Sequence, residues 1–404
     1  MNKTYTLHAA QSAPPAILSL GFRPFFLAGS LFAAILIALW VPWFLGLIAI
    51  PSAFPPMAWH AHELLFGFLP AIIAGFLLTA VPNWTGRSPI SGWPLAILVL
   101  VWLAGRLAIA ASTHLDPGTT AALSIAFPLA LAAVIGREIV AAQNRRNLKI
   151  IVVLLGIAAA DALFHYEIWQ FGRTKFAHTL AVALIILLLM IIAGRIVPAF
   201  TTNWLKHNRP GGALPAPFSP FDTAAMFLSG AALLGWVALP LLEEEAPQAR
   251  TVVGITLLAA AVANIVRQAR WTPQRTFAEP LLAILHVAYL FVGIGFLLSG
   301  LAVLWDDYDF ATAGLHAWTS GAIATMILAV MTRVSRGHTG RPLTAPASTV
   351  VLYASVLVAA VARICAALHP ELSMILLPAA GLTWIVAFAG FAGLYGRILL
   401  SPRS

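Results

Sequence analysis

Charged side chains are scarce in this sequence. Only 9% of its 404 residues are Asp, Glu, Lys or Arg, whereas about a quarter are charged in a typical soluble domain. With 61% hydrophobic residues and a mean hydropathy of +0.92, the composition excludes a soluble globular protein. The single cysteine, Cys365, excludes internal disulfides, cysteine-ligated iron–sulfur clusters and Cys-Xaa-Xaa-Cys-His haem attachment. Any bound metal must therefore be held by histidine and carboxylate groups.

Long apolar runs fill the chain instead. A transmembrane helix takes about 20 residues, and runs of this length bounded by charges, proline or glycine predict twelve spans. Their predicted bounds are 26–47, 60–81, 94–111, 120–141, 148–169, 176–198, 222–239, 251–270, 279–303, 310–334, 346–368 and 372–398. We therefore expect an all-α polytopic membrane protein in which residues 1–404 form one transmembrane domain, with a first span that is retained rather than cleaved as a signal peptide.

The loop charges predict the orientation of these spans. Seventeen Lys and Arg side chains fall on the side of the N-terminus, against three on the other side, Arg173, Lys175 and Arg250. Because basic loops stay in the cytoplasm, we expect both termini to be cytoplasmic. The basic residues are spread over short loops and do not form one basic surface, so the expected partner is the lipid bilayer and not a nucleic acid.

Seven of the eleven histidines are predicted at the outer face of the membrane, five of them at the ends of helices and two, His114 and His369, in loops. His60, His62, His178 and His316 open spans two, six and ten, and His165 lies near the outer end of span five. Imidazole is the commonest metal ligand and binds haem iron, copper or zinc. An isolated histidine at a membrane end is more often a hydrogen-bonded residue than a ligand, but five such residues favour a metal or haem site.

Two spacings constrain how these histidines can be used. His60 and His62 lie about 200° apart around a regular helix, so they indicate two sites, or one ligand and one cap. Asp161 and His165 are i,i+4 neighbours on one helix face, which lets the carboxylate orient the imidazole as the outer partner of a metal ligand.

Other charged residues are candidates for supporting roles near the site. A carboxylate could orient a histidine or carry protons, and an arginine could bind an anion, a haem propionate or a lipid head group. The carboxylates are Glu63 and Glu167, and the arginines are Arg23, Arg195 and Arg333.

A repeat is visible in the positions of the histidines. The step from His62 to His316 is 254 residues, and the same step carries Thr-Gly-Arg at 85–87 onto Thr-Gly-Arg at 339–341. This match predicts an internal duplication. His178 opens span six in a similar way, which extends the pattern to three groups of four helices, the arrangement of haem–copper oxidase-like bundles.

Several motifs resemble one family of membrane proteins. They are LGFRPFF at 20–26, WHAHELLFG at 59–67, AGFLLTAVPNWTGR at 74–87, LHA at 315–317 and RGHTGRP at 336–342. They resemble the NnrS family of bacterial inner-membrane proteins over nearly the whole chain. The resemblance implies a polytopic protein that contains haem and copper and takes part in denitrification and in the response to nitrosative stress.

The twelve-helix arrangement also resembles haem–copper oxidases and nitric oxide reductases, as an analogy at the level of the fold. Two departures limit it. Span six lacks the oxidase run His-Pro-Glu-Val-Tyr, and residues 239–246 lack a His-His pair. A copper centre of the oxidase type is therefore not expected.

These observations lead to one main hypothesis. His62 and His316 hold a haem, with His178 as a further cofactor ligand, and His60 and His165 contribute to a second metal or haem, so that all five are candidate metal ligands. Such a site would bind, sense or detoxify nitric oxide. As a nitric oxide-reactive haem oxidoreductase, it would draw electrons from a quinol or a periplasmic donor. The alternatives are a proton-coupled twelve-helix transporter and a metal-delivery or assembly factor.

Overall fold

The computed structural model describes residues 14–245 and 248–402. Within these ranges no residue lies in a β-strand, and twelve helices are long and apolar enough to cross a membrane. The predicted all-α architecture with twelve spans is confirmed. The two ends of the chain, which the loop charges predict to be cytoplasmic, lie outside the described residues.

We label the spanning helices α1 to α12 in chain order. They are Phe22–Phe44, Pro56–Thr85, Trp93–Ala110, Pro117–Ala141, Leu148–Phe171, Ala177–Asn208, Pro220–Glu245, Ala249–Ala269, Pro280–Trp305, Tyr308–His338, Ala347–Leu368 and Ser373–Leu400. Most predicted bounds differ by a few residues. The largest difference is at α6, which the apolar pattern ends at Pro198. The helix continues through this proline for ten further residues, and six of them are polar, so a hydropathy pattern does not register them.

The helices α2 and α10 share a local irregularity. A π-helical segment, Glu63–Phe68, directly follows His62 in α2, and another, Ala317–Ala324, directly follows His316 in α10. In a π-helix the hydrogen bonds span five residues instead of four, and such segments are frequent at functional sites. The same distortion at two positions 254 residues apart supports the predicted duplication.

The ends of these two helices match as well. Gly86 after α2 and Gly340 after α10 both have a left-handed backbone, with φ of +70° and +80°, a conformation that a residue with a Cβ atom rarely adopts. The corresponding helix of the middle predicted unit differs, because α6 contains no π segment between Ala177 and Asn208. The likeness is therefore closer between α2 and α10 than between either of them and α6.

The same two helices lie at the centre of the bundle. Of the most apolar stretch of each helix, 78% is buried in α2 and 83% in α10, against 22% to 67% in the other ten. Helices that follow one another along the chain pack together through most of the bundle, and α1 also packs against α12, which closes the ring. A hydrogen bond from Trp384 Nε1 to the carbonyl oxygen of Ala33, 3.1 Å long, crosses that closure.

Arg23 joins the start of α1 to the end of α12. The segment 20–26, expected before the first helix, enters it, because α1 begins at Phe22. Arg23 is 2% exposed, and its Nη1 donates to the carbonyl oxygens of Leu399 and Ser401 at 2.8 and 2.5 Å. The last carbonyls of a helix have no partner within the helix, so a cation is favourable there. Both ends of the described chain thus meet at one face, which we call the terminal face; the other is the opposite face.

Candidate metal centre and histidine cavity

A buried polar cluster lies between α2 and α5 near the opposite face. His62 ends the first segment of α2, and Asp161 and His165 lie one turn apart on α5. His62 Nε2 is 3.1 Å from Asp161 Oδ1 and 3.3 Å from His165 Nε2, and the remaining pair, His165 Nε2 and Asp161 Oδ1, is 3.5 Å apart. His62 and Asp161 are 0% exposed, and His165 is 8% exposed. Three atoms that can ligate a metal therefore converge inside the bundle.

The separations within this group suit a single metal ion. Two ligand atoms that each lie about 2.0 to 2.1 Å from a tetrahedral ion are about 3.3 to 3.4 Å from one another. The three observed separations are 3.1, 3.3 and 3.5 Å. Two imidazoles and a carboxylate form a donor set that suits non-haem iron, zinc or copper. We call His62, Asp161 and His165 the metal cluster.

Polar neighbours fix the orientation of the cluster. Glu63 Oε1 lies 2.9 Å from His62 Nδ1 and also accepts a hydrogen bond from Arg106 Nη1. Ser124 Oγ donates to Asp161 Oδ2 at 3.0 Å. A carboxylate on the second ring nitrogen of a ligating histidine fixes its tautomer and raises the basicity of the ligating nitrogen. With the proton on Nδ1 held by Glu63, the lone pair on His62 Nε2 faces the other two members of the cluster.

The buried charges around the cluster do not balance. Glu63 and Asp161 both carry carboxylates, and Arg106 is the one Lys or Arg side chain in the described residues that pairs with either of them, through Glu63. The three residues are 2%, 0% and 6% exposed in that order. An uncompensated charge in a buried place is costly. A bound cation would offset the excess negative charge, so the electrostatics favour the same site as the distances.

Aromatic rings surround the cluster. The rings of Phe54, Phe66 and Phe164 lie 5.3, 5.4 and 5.3 Å from the ring of His62, measured between centroids. Their packing excludes water, and electrostatic interactions are stronger in such a medium of low dielectric constant.

Three other histidines line a cavity beside the cluster. His60 of α2, His178 of α6 and His316 of α10 lie on its wall with Arg363 of α11. Its volume is about 140 Å³, whereas about 10 to 15 Å³ is enough for one water. The rest of the wall is mostly apolar and includes Trp40, Leu64, Leu65, Phe68, Val182 and Trp384. We call this space the histidine cavity.

The polar atoms of the histidine cavity are less well satisfied than those of the metal cluster. The ring of His60 stacks on Trp40 with centroids 3.9 Å apart, and its buried Nδ1 has no hydrogen-bond partner among the described residues. An unsatisfied buried polar atom costs about 1 to 3 kcal/mol. His178 Nδ1 is 3.1 Å from Thr174 Oγ1. A metal centre coordinated by His60 Nδ1 would give this nitrogen the partner that it lacks.

Comparison with known families completes this picture. Residues 16–403 match the NnrS protein family. The chain belongs to the NnrS family. No individually curated protein matches it. Membership, together with the twelve spans, establishes an NnrS-like multi-pass membrane protein, and the metal cluster is consistent with the metal binding that the NnrS family suggests.

The NnrS chain groups its histidines differently from the arrangement expected from sequence. His62 lies with His165 in the metal cluster, whereas His316 shares the histidine cavity with His60 and His178. The structure does not bring His62 and His316 together on one site. Residues 56–62 are regular α-helix, so side chains two positions apart point in nearly opposite directions. His60 and His62 consequently face two different sites.

Glu167, a candidate partner for a histidine, has another role in the structure. Its two carboxylate oxygens accept hydrogen bonds from the backbone amides of Lys175, Phe176 and Ala177, at 2.7 to 3.2 Å. The first amides of a helix lack partners within the helix. Glu167 therefore caps the start of α6. By contrast, Asp161 Oδ1 lies beside the ring nitrogens of both histidines, 3.1 Å from His62 Nε2 and 3.5 Å from His165 Nε2.

The arginines expected to bind an anion or a propionate lie away from the histidine sites. Arg195 Nη1 donates to Asn147 Oδ1 at 3.0 Å, and the guanidinium of Arg333 lies 4.1 Å above the ring of Phe200. The third, Arg23, is bound to carbonyl oxygens at the terminal face. The guanidinium on the cavity wall is that of Arg363.

Three residues of these sites escaped the sequence reasoning. Arg106 and Arg363 stand within apolar spans, and an ionisable residue in a span is a functional candidate by default. This rule identifies both arginines as candidates. Ser124 gives no such signal, because serine is common in membrane helices and only the packing of α4 against α5 brings it to Asp161.

Proposed function

We propose that this NnrS protein is a haem- and copper-containing protein of the bacterial inner membrane that binds nitric oxide near the periplasmic surface. The observation that carries the proposal is the presence of two adjacent histidine sites in the bundle. Helix α2 contributes His62 to the metal cluster and His60 to the histidine cavity. The family resemblance supports the two cofactors. The excess of basic loops on the side of the N-terminus supports a periplasmic location for the opposite face.

Copper is assigned to the metal cluster. Imidazole nitrogens suit copper, and a carboxylate oxygen completes the set that His62, His165 and Asp161 provide. Glu63 would hold the Nδ1 proton of His62, and Arg106 would hold Glu63 in place. The excess negative charge around the cluster favours a divalent over a neutral occupant.

Haem is assigned to the histidine cavity, with its ligands drawn from His60, His178 and His316. Three features of the wall favour this assignment: the Nδ1 of His60, which has no partner among the described residues, the apolar side chains, and the cation of Arg363 as a partner for a propionate. When bound, haem iron supplies a site for nitric oxide, and copper supplies a one-electron couple. The chain itself excludes water from both sites through the aromatic residues that surround them.

The apolar interior offers a path for a small neutral ligand. A second cavity of about 90 Å³ lies between α2, α6 and α10, and its wall includes Leu189 and Ile192 of α6. It shares Leu69 and Ile323 with the histidine cavity. Nitric oxide is small and neutral, so it dissolves in the bilayer and can pass along such a wall without a polar channel. We assign this second cavity as its route to the haem.

The test is to purify the full-length protein from membranes and to measure its iron, its copper and its absorption spectrum before and after addition of nitric oxide. We expect a Soret band that shifts with nitric oxide, and stoichiometric copper. A protein with no Soret band and no stoichiometric iron or copper would overturn the proposal and favour the transporter. Copper that exchanges freely, without haem, would favour the metal-delivery factor.

A role in nitrosative stress requires binding, and a role as an oxidoreductase requires turnover as well. Consumption of nitric oxide by the purified protein, supplied with a quinol or with a reduced periplasmic donor, separates the two. Loss of nitric oxide that depends on the donor would show a reaction. Binding without consumption would show a sensor or a scavenger.

A further inference from the structure

A large cavity lies at the terminal face between α5, α6 and α7, far along the bundle from the histidine sites. Its volume is about 930 Å³. The side chains of Arg146, Lys149 and Arg195 line it, and so do the aromatic rings of Phe218 and Phe227. The cavity therefore joins a cationic wall to an apolar wall. We call it the basic cavity.

Of the four cations in the wall, Arg146, Lys149 and Arg195 have no carboxylate partner among the described residues, whereas Arg267 is paired. Arg195 donates to the amide oxygen of Asn147, which is uncharged. The one carboxylate in the wall, Asp222, is already shared by two other arginines, because its Oδ1 is 3.3 Å from Arg267 Nε and its Oδ2 is 3.5 Å from Arg270 Nη2. The remaining positive charge attracts an anion.

The backbone adds to this attraction. Helix α5 begins at Leu148, directly after the 3-10 turn Arg145–Asn147, and Arg146 and Lys149 lie on either side of this start. The N-terminus of a helix carries a partial positive charge, which favours a phosphate or another anion nearby. The cations and the helix end together suit a phosphate-bearing ligand.

The apolar wall distinguishes a lipid from a free anion. Phe218 is 69% exposed and Phe227 is 77% exposed, so both rings lie on the outer surface of the bundle. They continue into a shallow apolar surface that Pro220, Thr223 and Ala224 also line. A free phosphate gains no favourable contact from an apolar surface, whereas the acyl chain of a lipid would bury it.

We propose that the basic cavity binds an anionic phospholipid, with its phosphate among Arg146, Lys149 and Arg195 and an acyl chain along Phe218 and Phe227. Basic pockets between transmembrane helices are known to bind acidic lipid head groups on the side of the membrane that faces the cytoplasm. The site is separate from the haem and copper sites, so it stands or falls independently of the proposed function.

The test measures lipid affinity of the purified full-length protein by native mass spectrometry, with phosphatidylglycerol and phosphatidylcholine titrated separately. The variant Arg146→Gln/Lys149→Gln/Arg195→Gln removes the cationic wall. The matched control, Lys206→Gln/Arg209→Gln/Arg397→Gln, removes three exposed cations that do not line the cavity. Circular dichroism and gel filtration check that both variants fold.

We expect phosphatidylglycerol to bind the wild type more tightly than phosphatidylcholine, and the cavity variant to bind it about a hundredfold more weakly. The control should stay close to the wild type. An equal loss of phosphatidylglycerol affinity in both variants would show that general surface charge causes the effect, and it would overturn the proposal. Inorganic phosphate that binds with the same dependence on the three cations, while phosphatidylglycerol shows none, would overturn the lipid assignment.

Should the cavity variant fail to fold, Phe218→Ser/Phe227→Ser tests the other wall. It keeps the cations and removes the apolar surface. We expect weaker binding of long-chain phosphatidylglycerol and unchanged binding of its short-chain form. Unchanged affinity for both the long-chain and the short-chain lipid would overturn the position assigned to the acyl chain along Phe218 and Phe227.

Discussion

The two histidine sites differ in how completely the protein satisfies their polar atoms. In the metal cluster both ring nitrogens of His62 face partners, and the three ligating atoms already stand at distances suited to one ion. In the histidine cavity His60 Nδ1 has no partner in the described part of the chain, and the wall is apolar apart from a few groups. The first site is organised for a single ion, whereas the second is a mainly apolar cavity with three imidazoles in its wall.

The largest expected effect on this comparison of the two sites comes from removing a member of the metal cluster. We expect His62→Ala to weaken copper binding by more than about a hundredfold, since removal of even an outer partner commonly costs about 10- to 100-fold. The Soret band should persist, because His62 does not line the histidine cavity. Copper content and the absorption spectrum measure the two effects. His207→Ala, at an exposed position, is the control. Loss of the Soret band in folded His62→Ala protein would contradict the division into two sites.

The reciprocal change should remove haem and leave copper. In His60→Ala and in His316→Ala we expect a lost or displaced Soret band with copper content near that of the wild type, since both residues lie on the cavity wall. Haem content by pyridine haemochrome and copper content by mass spectrometry provide the readout. His114→Ala should behave as wild type. An unaltered spectrum in both cavity variants would refute their assignment as haem ligands.

A smaller effect is expected from the residue that orients His62. Glu63→Gln keeps the size of the side chain but removes the charge that holds the Nδ1 proton. Copper affinity should fall by about 10- to 100-fold while the haem spectrum is unchanged. Glu167→Gln, which alters a helix cap instead, serves as the comparison and should leave copper affinity unaffected. Equal copper affinity in Glu63→Gln and wild type would show that Glu63 does not support the cluster.

The smallest effect concerns the apolar route to the haem. Leu189→Phe narrows the cavity between α2, α6 and α10, so we expect a several-fold slower association of nitric oxide with no change in haem or copper content. Flash photolysis of the nitric oxide complex measures the rate. Leu187→Phe, two positions away on α6 and absent from that wall, is the matched control. The same rate in all three proteins would show that nitric oxide reaches the haem by another way.

The sequence predicts the parts of the fold that depend on local pattern. Twelve spans follow from the lengths of the apolar runs, and their number is confirmed. The i,i+4 spacing of Asp161 and His165 places both on one face of α5, and the structure brings their ligating atoms within 3.5 Å. The match 254 residues apart indicated that α2 and α10 correspond, and both carry a π segment after their histidine.

What the sequence cannot predict is which helix each histidine faces. The rotation of α2 about its axis turns His62 toward α5 and His60 toward α10, and it is set by packing across the whole bundle. The sequence alone does not show this rotation. It favours a pair of His62 with His316, because the two residues occupy equivalent positions in the repeat. The contact of Ser124 with Asp161 likewise depends on tertiary packing alone.

The π segments make the spacing of residues matter as much as their identity. Each segment accommodates an extra residue by widening the helix locally, and in α2 the widening begins immediately after His62. Deleting one residue from Glu63–Phe68 would let the helix return to regular geometry and turn its first segment by about 100° relative to the rest. His60 and His62 would leave both sites together, with every ligand still present in the sequence. A chain of this family that lacks one residue at this position would therefore keep its histidines and lose both sites.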